Sequence, residues 1–267
     1  MLRILAMAAT LPANTQLKLQ QVLSQWQHWD SKEPLLVAPT VQHQIGSGRS
    51  NLSWLVAAGE RQFVLRLDGQ DPQRLGLSRP AEWRAHQNAH KQSLAPKPLY
   101  FNPELGALVT AFYPADTDTT HPLTEVAALL RGIHGLAPVK FRLRPLQRAQ
   151  HYLVYLGHEQ PEAAFVAACE RASNSEQCLC HNDLLQANRL AGAAGLLAID
   201  WEYAAMGNPW YDLAAICEGD SLSDQQCLEM VASYLQRKPK PAELDQLSDN
   251  RLIYLTLCDY WQRLTEL

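Results

Sequence analysis

The feature that most constrains this chain is a polar motif in the stretch 180–212. A His-x-Asp-x-x-x-x-Asn pattern places Asp183 five residues before Asn188, and a short apolar segment then leads to Asp200. The intervening residues 189–199 include two glycines, which favours a hairpin. Such a hairpin would return the chain and bring Asn188 close to Asp200. The spacing therefore predicts a compact group of two carboxylates and one amide.

These residue types suit the transfer of a phosphoryl group from ATP to an alcohol. That reaction needs a carboxylate that orients the hydroxyl group and accepts its proton, and it needs oxygen ligands that hold Mg²⁺ against the phosphates. We assign the catalytic role to Asp183 and the metal to Asn188 and Asp200, because a hard cation prefers amide and carboxylate oxygens. The alternative is that these are ordinary loop residues and that Asp200 caps a helix.

The same stretch resembles a known family. HNDLLQAN followed by AIDWEYAAMGNPWYDLA is similar to the signature of the choline kinase, thiamine kinase and aminoglycoside phosphotransferase superfamily, and most of all to its bacterial choline-kinase-like members. The resemblance implies an α+β, two-lobed protein-kinase-like fold with a small antiparallel-sheet N-lobe and a larger, mostly helical C-lobe. It also implies that Asp183 matches the catalytic base and that Asn188 and Asp200 match magnesium ligands, with ATP as the phosphoryl donor.

A glycine-bearing turn lies between two predicted strands near the start of the chain. The apolar runs at 35–45 and 52–57 flank a turn that contains Ser47, Gly48 and Asn51. Glycine lets the backbone approach a ligand closely, so such a turn can lay backbone N–H groups over the phosphates of a nucleotide. A plain hairpin turn is the alternative. Together with the resemblance, the pattern predicts that these three residues bind ATP.

Two charged residues of the predicted N-lobe are further candidates for nucleotide binding. Arg66 lies on the alternating strand 62–67, where the resemblance implies a basic residue that holds the ATP phosphates. The family commonly has lysine there, whereas choline-kinase-like members have arginine, whose guanidinium group suits phosphate oxygens. A solvated surface arginine is the alternative. Glu82 lies on the predicted helix 81–92, and we expect it to pair with Arg66.

The remaining elements predict the division into lobes. Strands near residue 99 and at 107–112 would complete the small sheet, and residues 114–122, rich in Pro, Asp and Thr, mark a boundary. We expect an N-lobe of residues 1–113 and a C-lobe of residues 114–267. Beyond the boundary the apolar residues recur at helical spacing. The predicted helices cover residues 123–133, 145–157, 162–172, 223–237 and 242–266.

The N-terminal segment 1–13 is faintly similar to a secretion signal, because Arg3 precedes a short apolar run. The run is short and its basic region is a single arginine, so we expect a helix or strand that docks on the first lobe of a cytoplasmic protein. Residues 15–29 then predict an amphipathic helix. No stretch reaches the roughly 18 apolar residues of a membrane span.

The composition favours a folded enzyme and disfavours a nucleic-acid binder. With 267 residues, of which 47% are hydrophobic and 19% charged, the chain can bury a sizeable core. Its net charge of -4 gives no basic surface for nucleic acid. The six cysteines contain no Cys-x-x-Cys pair, which predicts reduced thiols. Composition does not indicate an oligomeric state.

Some residues outside the motif are expected to have structural roles. Asp212 begins a helical Asp-Leu-Ala-Ala run, and we expect its carboxylate to hold the catalytic loop by hydrogen bonds. His134 ends a predicted helix, which favours packing or capping. Cys178 and Cys180 lie at alternate positions of an apolar strand, so we expect one of them to face the core rather than to bind a metal.

Aromatic residues near the motif suggest the class of acceptor. Trp201, Glu202 and Tyr203 follow Asp200, and the last predicted helix adds three aromatic residues, of which Trp261 is assigned to the acceptor. A quaternary ammonium ion cannot donate hydrogen bonds, so aromatic faces with a carboxylate nearby hold it best. The pattern favours a small cationic alcohol, with choline first and thiamine as an alternative. Simple packing of the aromatic residues is the competing interpretation.

Two further functions compete with this one. An aminoglycoside kinase binds a polycation and needs a strongly acidic acceptor site. A clear acidic cluster is not evident in the C-terminal half, although four carboxylates leave room for one: Glu202, Asp212, Glu218 and Asp220. A non-catalytic nucleotide-binding module would use the lobes for sensing or partner contacts. The intact set of Asp183, Asn188 and Asp200 argues against that module, because a chain without catalysis has no chemical need for all three.

Overall fold

The structure is a computed structural model that describes residues 11–30, 32–47, 50–114, 120–157, 160–173, 175–193 and 195–267. The side chains of residues 46 and 47 lie outside this description. The same holds for the predictions made for the segment 1–10, for Gly48 and for the middle of the predicted lobe boundary.

Packing divides the chain into two compact units. One comprises residues 1–71 and 97–112, and the other comprises residues 72–96 and 113–267. The division after residue 112 lies next to the boundary predicted after residue 113. Residues 72–96 group with the helical unit, although the sequence had placed them in the N-lobe.

The first unit is a five-stranded antiparallel sheet with one helix. The helix α1 spans Ala13–Ser24, and a 3-10 turn at Trp26–His28 follows it. The strands are β1 (Thr40–Ser47), β2 (Asn51–Ala58), β3 (Arg61–Asp68), β4 (Pro98–Asn102) and β5 (Ala107–Ala111). Their order in the sheet is β1-β2-β3-β5-β4. The predicted strands are confirmed, whereas α1 ends before the predicted residue 29.

Strand β3 is central to this sheet, since it pairs with both β2 and β5. Its apolar residues Phe63, Leu65 and Leu67 alternate along the strand and are buried with Trp29 in the core of the first unit. Alternation puts these side chains on one face, where their burial contributes roughly 1.5–3 kcal/mol each. The pairing of β3 on both sides fixes its register, so Arg66 projects from the face opposite to these three apolar residues.

The second unit is mostly helical. Its helices are α2 (Arg79–Lys91), α3 (Leu123–His134), α4 (Pro145–Leu156), α5 (Ala163–Ala172), α6 (Pro209–Gly219), α7 (Asp224–Leu235) and α8 (Pro241–Thr265). Proline at the first position begins α4, α6 and α8, which costs nothing because that N–H group has no partner within the helix. Helix α8 packs against α4, α5 and α6. Among the described residues, no helix combines the length and apolar character that crossing a membrane requires.

Four short strands of the second unit carry the polar motif. They are β6 (Cys178–Cys180), β7 (Arg189–Gly192), β8 (Gly195–Ala198) and β9 (Ala205–Gly207). Strand β6 pairs with β9, and β7 pairs with β8. Because β6 ends where the motif begins and β8 ends just before Asp200, these two small sheets determine the positions of the candidate site residues.

Candidate active site

Residues 181–188 form a loop between β6 and β7, called the catalytic loop below. A 3-10 turn at Gln186–Asn188 ends it and directs the Asn188 side chain back towards Asp183. Asn188 Nδ2 donates to the backbone oxygen of Asp183 at 2.8 Å and to Asp183 Oδ2 at 2.9 Å. Asp183 and Asn188, whose spacing in the sequence predicts that they lie close together, are therefore directly hydrogen-bonded.

The predicted hairpin is confirmed, with Arg189 opposite Ala198 and Gly192 opposite Gly195. At its open end the backbone N–H of Ile199 donates to the backbone oxygen of Asn188 at 3.0 Å. Asp200 follows in the left-handed region with φ of 59°, a conformation that aspartate tolerates better than most residues. The hairpin thus brings Asp200 back to the end of the catalytic loop.

The donor atoms at this point fit a hard divalent cation. Asn188 directs its amide nitrogen to Asp183, which leaves its side-chain oxygen as the atom suited to a metal. Asp200 adds a carboxylate at the neighbouring end of the hairpin. An amide oxygen and a carboxylate are the ligand types that Mg²⁺ accepts while keeping several waters.

Asp183 lies in an environment that disfavours its ionised form. Burial raises the pKa of its carboxyl group well above the ordinary value, and the charges of Asp200 and Glu202 raise it further, against a smaller opposite effect of the Asn188 hydrogen bond. A carboxylate with a raised pKa is a stronger proton acceptor. The surroundings of Asp183 therefore suit a general base.

The fully buried Asp212 at the start of α6 holds the catalytic loop. Its Oδ2 accepts from the backbone N–H of His181 at 2.9 Å, and its Oδ1 accepts from that of Asn182 at 2.6 Å. His134 Nε2 lies 3.1 Å from Oδ2 as well. These contacts confirm the hydrogen bonds expected of Asp212, and they place His134 beside it as a packed residue.

Trp201 lies in the core, which corrects the expectation that it contacts the acceptor. Its exposed fraction is 0%, and its Nε1 donates to the backbone oxygen of Ala198 at 3.0 Å. Its ring packs against that of His181, with centroids 4.8 Å apart. His181 Nε2 in turn lies 3.0 Å from the backbone oxygen of Ile199. Trp201 therefore supports the loop and the hairpin from the core.

An ion cluster joins two of the predicted site residues through Arg79, which sequence reasoning missed. Arg79 Nη1 contacts Glu82 Oε2 at 2.7 Å and Glu202 Oε2 at 3.2 Å, and all three side chains are buried. Glu202 is therefore neutralised in part by a guanidinium group. The position of Arg79 three residues before Glu82 was a signal for their pairing on one helix face. The expected pair of Glu82 with Arg66 stays a prediction.

One face of α8 lies close to the carboxylate of Asp183. Burial raises the pKa of Tyr254 and of Cys258, the latter to about 11, and the negative charge of Asp183 contributes to both shifts. Trp261 continues this face at helical spacing and is half-buried. Its Nε1 is buried, and no partner for it is found among the described residues. Sequence reasoning assigned no role to Cys258, although its spacing from Tyr254 places it on the same face.

Tyr203 lies at the end of the short turn that follows Asp200. Its backbone oxygen accepts from Asn182 Nδ2 at 2.9 Å, so this residue is attached directly to the catalytic loop. Its side chain is half-buried. The structure therefore keeps Tyr203 beside the catalytic loop, in contrast to the buried Trp201.

The predicted nucleotide-binding residues belong to the first unit, with the exception of Glu82. Asn51 is buried at the start of β2, opposite Asp68 on β3. Arg66 has an exposed fraction of only 7%, which contradicts the alternative of a solvated surface arginine. Gly48 and the side chain of Ser47 lie outside the described part of the chain. The assignment of these residues to ATP stays a prediction.

Comparison with known proteins gives two kinds of relative. Thiamine kinase from Shigella boydii serotype 4 is 28% identical over 207 residues, which cover 74% of this chain and 73% of that protein. The protein LicA of Haemophilus influenzae is 32% identical over 80 residues. That match covers 30% of this chain and 30% of LicA, so the chain aligns with under a third of this relative's length.

Solved structures confirm the fold class. Choline kinase LicA from Streptococcus pneumoniae superposes with a TM-score of 0.72 at 18% identity, covering 95% of this chain and 92% of that chain. A structure of LicA in complex with AMP also gives a TM-score of 0.72, at 20% identity over 93% of this chain and 89% of that chain. At such identities the likeness shows the fold, which is the expected α+β protein-kinase-like class.

The sequence profile of the phosphotransferase enzyme family matches residues 41–247. This range includes the catalytic loop and Asp200. It also includes the five strands of the first unit, except for the first residue of β1. The match covers most of the chain and all three residues of the motif, and the protein therefore belongs to the phosphotransferase enzyme family.

Proposed function

We propose that the protein is an ATP- and Mg²⁺-dependent kinase that phosphorylates the hydroxyl group of a small cationic alcohol, with choline as the first candidate. The observation that carries the proposal is the hydrogen-bonded pair of Asp183 and Asn188, to which the hairpin returns Asp200. A base and two oxygen ligands in this arrangement are what phosphoryl transfer to an alcohol requires.

In the proposed reaction Asp183 orients the acceptor hydroxyl group and accepts its proton. The alcohol oxygen forms a bond to the γ-phosphorus of ATP while the bond to ADP breaks. Asn188 holds the Asp183 carboxylate by its amide, and Asp212 fixes the loop through two backbone N–H groups. Asn188 and Asp200 would hold Mg²⁺, whose charge neutralises the phosphate oxygens.

The nucleotide would be bound by Ser47, Gly48, Asn51 and Arg66. The place of Arg66 on β3 supports this part of the proposal, because a guanidinium group there presents a fork of N–H donors that suits phosphate oxygens. The adenine nucleotide present in the LicA structure of the same fold is consistent with ATP as the donor. Glu82 is retained as an indirect contributor, since it holds Arg79 at the start of α2.

The surroundings of Asp183 support a cationic acceptor. Tyr254 and Cys258 lie close enough to the Asp183 carboxylate for its charge to affect their pKa, and Trp261 extends the same face of α8. Aromatic faces beside negative charge suit a quaternary ammonium group. We retain Tyr203, Glu202 and Trp261 as acceptor contacts, with Glu202 acting by its charge because Arg79 occupies its Oε2.

Thiamine is the second candidate, and one observation favours it. The relative named thiamine kinase aligns over 74% of this chain, whereas the identity to LicA of Haemophilus influenzae is confined to 80 residues. Thiamine also combines a cationic ring with a primary alcohol. An aminoglycoside is less suited, because Arg79 neutralises part of the acidic character that a polycation needs.

The test is release of ADP by the purified protein with ATP and Mg²⁺ in the presence of choline, ethanolamine, thiamine or kanamycin. Asp183→Asn should lower turnover by about 10²–10⁴-fold, the contribution typical of general base catalysis, while ATP binding is kept. Asp224→Asn makes the same change at an exposed residue of α7 and serves as the matched control. Undiminished turnover in Asp183→Asn would contradict the mechanism. ATP binding without ADP release from any acceptor would favour the non-catalytic module.

A further inference from the structure

A second cluster of reactive side chains lies directly before the catalytic loop. It consists of His134 at the end of α3 and of Cys178 and Cys180 on β6, and one ligand atom from each lies within 4.8 Å of the other two. Residues two apart on a strand share a face, so both thiols point to the same side of β6. Phosphoryl transfer as derived above uses none of these three side chains.

The separation of the two sulfur atoms matches a tetrahedral metal site. Two thiolates that bind Zn²⁺ at about 2.3 Å with tetrahedral angles lie about 3.8 Å apart. The Sγ atoms of Cys178 and Cys180 are 3.7 Å apart. A disulfide would require them to approach to about 2.05 Å. The strand therefore already holds the thiols at the distance that a zinc ion demands.

The hydrogen bonds of His134 also fit a metal ligand. Its Nδ1 lies 2.7 Å from the hydroxyl group of Tyr234, and its Nε2 lies 3.1 Å from Asp212 Oδ2. A histidine that binds a metal through one nitrogen commonly donates its other N–H group to a carboxylate. Asp212 provides that carboxylate at Nε2. A metal would therefore bind Nδ1 and replace the hydrogen bond between Nδ1 and Tyr234.

Tyr234 is the partner that a metal ion would displace from His134. Exchange of its hydrogen bond to Nδ1 for a metal bond would leave the contact between His134 Nε2 and Asp212 in place.

An ion can reach the cluster from solvent. Cys178 is partly exposed, whereas Cys180 is fully buried. The thiolate is the form of cysteine that binds metals, so an ion that enters beside Cys178 can displace the thiol proton towards solvent.

We propose that Cys178, Cys180 and His134 form a binding site for Zn²⁺, with water as the fourth ligand. Two thiolates and one imidazole are soft to intermediate ligands, which favour zinc over Mg²⁺. Binding forms two Zn–S bonds and one Zn–N bond and releases to solvent the protons that the two sulfur atoms and the metal-binding nitrogen of His134 carry, without electron transfer. The ion would help to fix the position of the catalytic loop through His134 and Asp212. Asp212 accepts hydrogen bonds from the backbone N–H groups of His181 and Asn182 in that loop.

The test is a titration of the reduced, metal-free full-length protein with Zn²⁺ against a chromophoric chelator, with excess Mg²⁺ present to occupy the Asn188 and Asp200 ligands. We expect one equivalent of Zn²⁺ per chain and release of protons on binding. Co²⁺ in place of Zn²⁺ should produce the absorption of a thiolate-to-metal charge transfer, which oxygen ligands do not give.

Cys178→Ser removes one thiolate from the site, and Cys169→Ser makes the same change at another partly exposed cysteine, on α5. Loss of a residue that only supports a metal ligand typically weakens metal binding by about 10–100-fold. We expect Cys178→Ser, which removes a ligand itself, to weaken Zn²⁺ binding by more than that. Cys169→Ser should bind as the unchanged protein does. Absence of stoichiometric binding, absence of the Co²⁺ charge-transfer band, or equal affinity in Cys178→Ser and Cys169→Ser would overturn the proposal. None of these readouts depends on catalysis, so the zinc site can fail while the kinase proposal holds.

Discussion

Asp212 shows how a single buried carboxylate can determine the geometry of a loop. Its two oxygens accept from consecutive backbone N–H groups, so one carboxylate fixes both groups at once. Hydrogen bonds to a charged group contribute about 1.5–3 kcal/mol each in proteins. The position of Asp183, only one residue beyond the second of these N–H groups, therefore depends on Asp212 although the two carboxylates have different roles.

We predict that Asp212→Asn lowers turnover more than it weakens ATP binding. The amide group of asparagine can accept from only one of the two backbone N–H groups and turns a donor towards the other, which displaces the catalytic loop. Misplacement of a base by about 1 Å costs on the order of 10²-fold in rate. Steady-state kinetics should show a fall in kcat of about this size, with the KM for ATP changed by less than about threefold. A kcat equal to that of Asp224→Asn would refute the role of Asp212.

The sequence contained enough information for some residues of the site and too little for others. The Asp183–Asn188 pair follows from spacing within one loop, and Asp200 follows from a local hairpin. Arg79 contacts Glu202 across 123 positions of the chain, so no local pattern reports that contact. Burial of Trp201 likewise depends on which elements surround it, and an aromatic residue beside a motif has the same sequence signal whether it binds a ligand or packs.

Hydrophobic periodicity predicted the strands well and one helix end poorly. Apolar spacing in α1 continues to Trp29, yet the helix ends at Ser24. The ring of Trp29 instead packs against Phe63 and Tyr100 of the sheet, with centroids 6.0 and 6.2 Å apart. Burial of a tryptophan in the core of the first unit outweighs the helix propensity of a few residues, which is of the order of 0.5 kcal/mol each.

Helix α8 yields a prediction about the acceptor. Trp261→Ala should raise the KM for the acceptor by about 5–30-fold, because an aromatic face in contact with a desolvated cation contributes roughly 1–2 kcal/mol. The KM for ATP should stay unchanged. Leu255 lies on α8 and is exposed, so Leu255→Ala is the matched control for a truncation on this helix. Equal acceptor KM values in the two variants would remove Trp261 from the acceptor site.

Asp30 links three parts of the first unit and makes its stability depend on pH. Its Oδ2 accepts from Arg61 of β3 at 2.6 Å and from Lys97 at 2.9 Å, and Glu33 also faces Lys97 at 3.5 Å. Burial raises the pKa of Asp30, but the hydrogen bonds from Lys97 and Arg61 outweigh it and lower the pKa below 3.8. The folded-state pKa lies below the unfolded-state value, so this stabilisation is complete above about pH 4 and is lost as the pH falls through the folded-state pKa.

We therefore predict that Asp30→Asn lowers the free energy of unfolding by about 1–2 kcal/mol at pH 7 and by progressively less below pH 4. This loss of stability is smaller than for fully buried ion pairs, because Arg61 and Lys97 are partly exposed and solvent screens their charges. Asparagine tolerates the left-handed backbone of this position, where φ is 51°, so the variant tests the charge alone. Urea unfolding between pH 3 and pH 7 measures the effect, with Glu104→Gln in an exposed turn as control. A loss of stability that does not vary with pH would contradict the assignment.

The order of elements along the chain does not determine which residues of the molecule pack together. Helix α2 precedes β4 and β5 in sequence, yet residues 72–96 group with the second unit. The buried cluster of Arg79, Glu82 and Glu202 joins α2 to the turn that follows Asp200, and the ring of His86 lies 6.4 Å from that of Trp201. Such contacts arise only once distant segments have folded, so local sequence patterns do not report them.

The stability of the whole molecule should report Mg²⁺ binding without any turnover. A ligand that binds only the native chain at 100 times its Kd raises the free energy of unfolding by about 2.7 kcal/mol, which corresponds to a rise in Tm of about 5–10 °C for a chain of this length. We predict such a rise with ATP and Mg²⁺ together and a smaller one with ATP alone. Asp200→Asn keeps the size of the side chain but removes the anionic ligand, so the additional rise due to Mg²⁺ should disappear, whereas Asp224→Asn should keep it. Thermal unfolding of the unchanged protein and of the two variants, each with ATP in the presence and absence of Mg²⁺, measures this difference. A full Mg²⁺-dependent rise in the Tm of Asp200→Asn would exclude Asp200 as a metal ligand.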